Sequence, residues 1–290
     1  MTFELIFLGT GTSAGVPMIA CDCEVCTSAD PRDHRTRPSV LVRYSEGGSD
    51  TGDTTPAEYL IDTTPELRQQ VIGQKLMHLD GVFYTHNHAD HVFGIDDLRR
   101  FNAVSGRALD IYGEPRVLQW LTTTFRYIFD SPSNVNQSFV PTLVLNPVLP
   151  ADEPDAPPPL LLRGAMWTPL RLLHGRLPIL GFRVDFAGFS LAYCTDVSKI
   201  PPQTLPLLRG LDVLVIDALR YRHHPTHLTV DEALWQVEQA RPRRAYLTHL
   251  AHDVLHADLE PKLPANVRIA YDGLRVDVAG VRAAPSATAG

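Results

Sequence analysis

Three imidazoles and one carboxylate fall within six consecutive positions of this chain, and no other feature constrains its fold as tightly. His86, His88, Asp90 and His91 follow directly on the apolar run Gly81-Val82-Phe83-Tyr84. An apolar run of that kind reads as a buried strand, so the cluster is delivered to a strand end inside the protein. Gathering so many ionisable groups there is costly unless something compensates them. A metal centre does so. Imidazole suits zinc, iron and manganese, and carboxylate adds negative charge to balance the cation. Residues two apart on an extended segment point the same way, so His86 and His88 can grip one ion. Asp90 and His91, on the turn beyond, can face a second.

Other ligand-grade side chains end apolar runs elsewhere. His174 follows Leu172-Leu173, Asp196 follows Leu191 to Thr195, and His249 follows Tyr246-Leu247-Thr248. Ionisable residues just past buried strands are what a site at a sheet edge needs. His78 and His256 lack that context and read as surface residues.

The rest of the chain alternates strands and helices. Phe3 to Leu8 reads as a strand, followed by the turn Gly9-Thr10-Gly11-Thr12. Ser39 to Tyr44 and Tyr59 to Ile61 read as strands, with a polar loop, Ser45 to Ala57, between them. Thr64-Pro65-Glu66 carries the signature of a helix start, with Thr64 as N-cap. Glu114 to Tyr127 reads as a helix. Asn146 to Pro159, rich in proline and acids, reads as an exposed loop. Trp167 to Leu173, Ile179 to Phe186, Phe189 to Cys194, Val213 to Ile216, Arg244 to Thr248, Val267 to Ala270 and Leu274 to Val278 read as strands. Thr229-Val230-Asp231-Glu232 is a capping box opening a helix. The mixture predicts an α/β fold of two sheets packed face to face with helices outside. Residues 1–280 are expected to form one domain and 281–290 a flexible tail.

With 290 residues, 44% of them hydrophobic, the chain can build a sizeable core. Its net charge of −7 argues against a long nucleic-acid footprint. No apolar run approaches the roughly 20 residues of a membrane span, and the first residues lack the features of a signal peptide. A cytoplasmic protein is expected. In a reducing compartment, Cys21, Cys23 and Cys26 read as a structural zinc loop rather than as disulfides. Tetrahedral zinc wants a fourth ligand. His252, three positions past His249, could turn toward the loop, and His34 and His223 are the other candidates. Cys194, in a buried strand, reads as a small apolar filler.

From end to end the chain resembles the metallo-β-lactamase superfamily. The resemblance rests on the strand and Gly9-Thr10-Gly11 turn, Leu60-Ile61-Asp62, the His86 to His91 motif, His174, Thr195-Asp196 and Leu247-Thr248-His249. It implies a four-layer αββα sandwich of two mixed sheets with a dinuclear site. By that analogy His86, His88 and His174 hold one divalent ion, zinc or manganese. Asp90, His91 and His249 hold the other, and Asp196 bridges them. Asp62 would steady a ligand from behind. Two adjacent ions share a hydroxide and lower the pKa of its parent water, which suits phosphodiesters, thioesters, lactones or β-lactams alike.

The cysteine loop narrows this to a branch. Cys21-x-Cys23-x-x-Cys26, Gly15-Val16-Pro17 and the pair His249 and His252 resemble the phosphodiesterases that include the phosphoribosyl 1,2-cyclic phosphate phosphodiesterase of phosphonate breakdown. That resemblance implies a structural zinc completed by His252. It also points to His227, in Pro225-Thr226-His227-Leu228-Thr229, as the acid that protonates a leaving oxygen or contacts phosphate. His227 and Asp90 are therefore the expected catalytic residues. Arg220, Arg222, His223 and His224 read singly as a solvated loop. The expected reaction is hydrolysis of a small cyclic phosphodiester by a metal-bound hydroxide. A small phosphorylated molecule is the expected partner, a membrane is not, and a homodimer stays open. Three alternatives remain: a tRNA 3′-processing endonuclease resembling ribonuclease Z, a thioester or lactone hydrolase, and a non-catalytic metal-binding module. The interval from His174 to Asp196 is too short for the tRNA-gripping arm of the first. The complete ligand set argues against the last.

Overall fold

A computed structural model describes residues 1–46, 55–151 and 158–282. Two seven-stranded sheets face each other. The first is built from β1 (Thr2–Gly9), β2 (Ser39–Ser45), β3 (Ala57–Ile61), β4 (Gly81–Phe83), β5 (Leu109–Gly113), β6 (Leu143–Pro147) and the late strand β14 (Arg275–Asp277). Its order is β14-β1-β2-β3-β4-β5-β6. The second holds β7 (Leu160–Leu162), β8 (Ala165–His174), β9 (Leu177–Phe186), β10 (Phe189–Cys194), β11 (Val213–Asp217), β12 (Arg244–Thr248) and β13 (Val267–Ile269), in the order β13-β12-β11-β10-β9-β8-β7. Both sheets are mixed, antiparallel at one side and parallel at the other. This is the expected αββα sandwich.

Strand alternation explains the layers. In β1, Phe3, Leu5 and Phe7 face the opposite sheet, while Ile6 and Leu8 face helices. In β10, Leu191 and Tyr193 point inward, and Ala192 and Cys194 outward. Strands buried on both faces need continuous apolar sequence, which is what these segments have. Cys194 is fully buried and its thiol is pushed up to about 12 by that burial, as suits an inert filler. The inter-sheet layer is aromatic. Phe83 stacks on Trp167 at 4.1 Å and 3°. The Trp167 indole N–H donates to the Tyr44 hydroxyl at 3.2 Å, which donates to Leu162 O at 2.8 Å. Outside the first sheet lie α1 (Leu67–Gly73), α2 (Ala89–Val92), α3 (Arg99–Ser105), α4 (Pro115–Thr124) and α5 (Arg126–Phe129); α6 (Val230–Ala240) covers the second.

The local signals were met unevenly. Thr229 caps α6 through the Glu232 amide, and the Glu232 side chain accepts from the Thr229 amide, completing the capping box. Thr64 is not an N-cap. Its hydroxyl accepts from the Glu66 amide at 3.2 Å in a preceding turn, and α1 begins only at Leu67. The helix expected over 114–127 breaks at Phe125 into α4 and α5. The loop expected from Asn146 begins inside β6, and 152–157 of it lies outside the described residues, as does 47–54 of the loop expected from Ser45. Residues 281 and 282 belong to a short helix, and 283–290 lie outside the described residues. His256 is not a surface residue: only 2% of it is exposed, and its amide donates to Asp33.

His78 is not free-standing either. Its ring lies between Asp80 and Glu58, 3.1 Å from each. Hydrogen bonds that its ring donates to Asp80 and Glu58 raise its pKa from 6.5 to about 9, against the effect of burial. A folded-state value above the unfolded one stabilises the fold fully below about pH 6.5, and that contribution is lost as pH rises toward 9. Urea unfolding of His78→Ala beside the parent protein checks this. The stability gap is expected to be widest near pH 6 and to narrow through pH 9. A gap that does not change with pH would assign His78 to packing alone.

Candidate metal centre

Sheet direction brings the candidate ligands to one edge. Strand β8 is antiparallel to β9, and β9 to β10, so β8 runs with β10, β11 and β12. Their C-terminal ends therefore place His174, Asp196, Asp217 and His249 along one rim. In the facing sheet β3 and β4 are parallel, and their ends deliver Asp62 and the Thr85 to His91 loop to the same rim. Asp62, Asp196 and His249 all take left-handed backbone, with φ of 65°, 55° and 62°. Non-glycine residues there are uncommon and mark places where the fold forces a sharp turn at a strand end.

Two groups form. His86, His88 and His174 lie together, with ring centroids 4.5, 5.6 and 5.2 Å apart. Asp90, His91, Asp196 and His249 offer ligand atoms within 4.8 Å of one another. The His86 and His91 rings, 4.2 Å apart, join the groups. Asp196 also groups with His174, which places it between the two. All seven residues expected from the sequence thus converge. His88 is exposed at the mouth and the other six are buried.

Partners behind the ring leave one nitrogen of each of three histidines facing inward. His174 Nδ1 donates to Thr226 O at 2.8 Å. His91 Nδ1 donates to Asp62 Oδ2 at 2.7 Å. Asp62, fully buried, also accepts from the Thr85 amide and hydroxyl, both at 2.8 Å, and Thr85 Oγ1 lies 3.0 Å from His86 Nδ1. Asp62 therefore steadies both His91 and the loop of the cluster, the place expected for it. The inward nitrogens His86 Nε2, His91 Nε2 and His249 Nε2 are buried and have no hydrogen-bond partner among the described residues. Such orphans are rare in native interiors. His91 Nε2 lies 3.2 Å from an Asp196 oxygen, and His249 Nε2 3.1 Å from the other.

The electrostatics ask for cations. Burial holds His86 well below the usual imidazole range and His174 at about 4, so both are neutral and ready to ligate. Burial would do the same to His91 and His249, but the Asp196 and Asp90 carboxylates outweigh it, raising His249 to about 10 and His91 well above its ordinary value. Asp196 and Asp90 stay ionised despite burial because those imidazoles face them. The donor set of imidazole nitrogen and carboxylate oxygen fits divalent ions.

His227 flanks this centre. Its ring stacks on His249 at 4.7 Å and 20° and lies 4.6 Å from His174. Its Nδ1 is 2.6 Å from Asp217 Oδ2, with Asp217 fully buried. Asp217 carries the same sequence signal as Asp196, a carboxylate ending an apolar strand, and is a site residue beyond those expected.

The second expected site also assembles. His252 Nδ1 lies 3.2, 3.4 and 3.7 Å from the sulfurs of Cys21, Cys23 and Cys26. A zinc tetrahedron with bonds of about 2.0–2.3 Å has edges of roughly 3.5 Å. All three cysteines are free thiols. The Cys26 amide, more than any other neighbour, lowers the Cys23 thiol to about 7, whereas burial pushes Cys26 up to about 11. Positive charge is needed to hold both as thiolates at once.

A sequence profile of the beta-lactamase superfamily domain matches residues 58–250. The crystal structure of a new diphosphatase from the PhnP family is 37% identical, covers 96% of this chain and 97% of its own, and superposes with a TM-score of 0.82. The chain belongs to the metallo-β-lactamase superfamily. It lies in the PhnP-like branch of that superfamily. It is also similar to an octanoyltransferase of Porphyromonas gingivalis, 34% identical over 281 residues and 96% of this chain. The chain spans only about half of that relative, 52% of its length. Zinc-bound PqqB from Methylobacterium extorquens shares the fold at 18% identity, covering 95% of this chain and all of its own, with a TM-score of 0.70. No helix among the described residues is long and apolar enough to cross a membrane.

Proposed function

We propose that this superfamily member is a dinuclear metal-dependent phosphodiesterase acting on a small, cyclic or strained phosphodiester such as phosphoribosyl 1,2-cyclic phosphate. The observation that carries the reading is the pair of ligand groups joined through Asp196, with the His227–Asp217 pair beside them. The ions, when bound, supply a nucleophilic hydroxide at neutral pH and neutralise charge on the phosphoryl oxygens. His86, His88 and His174 would hold one, Asp90, His91 and His249 the other, and Asp196 would serve both. Cys21, Cys23, Cys26 and His252 hold a structural zinc. His227 Nδ1–H donates to Asp217, which leaves Nε2 for the substrate. As the new P–O bond forms and the old one breaks, the leaving oxygen takes its proton from His227 Nε2. The Asp217 carboxylate stabilises the imidazolium before transfer and fixes the ring.

A second reading is hydrolysis of a diphosphate bond, favoured by the diphosphatase that superposes over nearly the whole chain. Both reactions need the same attack on phosphorus, and they differ in the leaving group. The test is turnover by metal-stripped protein reloaded with zinc or manganese. Colour release from bis(p-nitrophenyl) phosphate is expected with one of them and none without metal. Cyclic phosphodiesters, diphosphate esters and acyl thioesters offered in parallel rank the substrates. No phosphodiester or diphosphate turnover with either metal would overturn the proposal, and preference for thioesters would replace it.

A further inference from the structure

We propose that Arg35 is a positioning residue that aims His249 and His252, from one short loop, into two separate clusters. The proposal rests on reading those clusters as metal sites.

Arg35 is fully buried, which is exceptional for a guanidinium. Nη1 donates to Ala251 O at 3.2 Å, and Nη2 donates to Val254 O at 2.8 Å and to Asp33 Oδ1 at 2.9 Å. Asp33 in turn accepts from the His256 amide at 2.8 Å and from the Ser28 hydroxyl at 2.8 Å. One buried ion pair therefore ties the segment after the cysteine loop to both ends of 251–256. The Arg35 backbone is equally committed. It exchanges hydrogen bonds with Val16, 2.7 and 2.8 Å long. A Cβ at Gly11 would come within 2.6 Å of Arg35 O, so only glycine lets the two strands approach. Gly11 pairs with Leu250, whose amide donates to Thr10 O and whose carbonyl accepts from Thr12.

The loop so held has a geometric task. His249 turns through left-handed backbone into the buried group with Asp90, His91 and Asp196. His252, three residues on, faces the three sulfurs. The carbonyls that Arg35 grips, at 251 and 254, flank His252 and follow His249. Burying a guanidinium is expensive unless its donors are used; here Nη1 and Nη2 fix both ends of the turn, while Nε has no partner among the described residues. Among the described residues Arg35 is hydrogen-bonded to Ala251, Val254 and Asp33 and not to either histidine, so its influence passes through the backbone between them.

The test compares the parent with Arg35→Met and Arg35→Lys. Zinc and catalytic-metal affinity are read by chelator competition. Occupancy is read by mass spectrometry and by the sulfur-to-cobalt absorption of cobalt-loaded protein. Loss of an outer partner typically costs roughly 10- to 100-fold in metal affinity. Arg35→Met is expected to weaken both sites together by at least about tenfold. Arg35→Lys, whose compact ammonium cannot serve both carbonyls, is expected to fall between. Near-ultraviolet circular dichroism checks folding, and if Arg35→Met does not fold, Arg35→Lys decides. A folded variant with lower thermal stability but parent-like affinity at both sites would overturn the assignment, as would weakening at one site alone. A parent protein that binds no metal would overturn the metal reading itself.

Discussion

Asp196→Asn is expected to abolish measurable turnover and to release at least one catalytic ion while leaving the fold in place. Among the described residues, Asp196 groups both with His174 and with Asp90, His91 and His249. One oxygen lies 3.1 Å from His249 Nε2, the other lies 3.2 Å from His91 Nε2 and accepts from the Thr195 hydroxyl at 2.7 Å. The amide has nearly the same shape, and asparagine tolerates the left-handed backbone that this position adopts at φ 55°. What changes is charge and donor type. An NH₂ replaces one oxygen and turns positively polarised hydrogens toward the place of a cation. The loss should exceed the roughly 10- to 100-fold that removal of an outer partner costs, because a shared ligand serves two ions. Metal analysis and turnover of bis(p-nitrophenyl) phosphate check it together. Full metal content with near-normal turnover would show that the two groups do not share Asp196.

The architecture was legible because its strands are apolar on both faces and end at residues that do not belong in a core. Whereas Asp62 came from the family resemblance, that signal located His86, His174, Asp196 and His249 without any knowledge of tertiary contacts. It also marked Asp217, where it went unused, since a lone carboxylate at a strand end is as easily a turn cap. Its meaning appears only when Thr226 and His227 are folded back over β11. Arg35 was illegible for a deeper reason. Nothing in its neighbours distinguishes a buried guanidinium from a surface one, because the carbonyls that satisfy it are more than two hundred positions away. His256 was illegible for the same reason, its amide meeting Asp33 more than two hundred positions away, whereas the partners of the partly exposed His78, Glu58 and Asp80, are near it in sequence. Thr64-Pro65-Glu66 misled locally. Its residues suit both a helix start and a preceding turn, and the backbone took the turn.

His227→Ala should separate proton delivery from metal binding through its dependence on the leaving group. General acid catalysis contributes typically about 10²- to 10⁴-fold when the departing oxygen is a poor leaving group. An alkoxide from a sugar ring is one. A p-nitrophenolate is stable as an anion and hardly needs the proton. His227→Ala is therefore expected to slow an alkyl or cyclic phosphodiester by about that range and bis(p-nitrophenyl) phosphate far less, with metal content unchanged. Asp217→Asn should show the same pattern at smaller size. It keeps a hydrogen-bond partner for the ring nitrogen 2.6 Å away but removes the charge that stabilises the imidazolium. It also allows the ring to settle in the wrong tautomer. Equal losses on both substrates would assign His227 to holding a phosphoryl oxygen, since that contact matters whichever group departs. Loss of catalytic metal from His227→Ala would instead make it a ligand beside His174 and His249. Metal analysis beside turnover separates the two roles, because His227 groups with His174 and Asp196 as well as with Asp217 and His249.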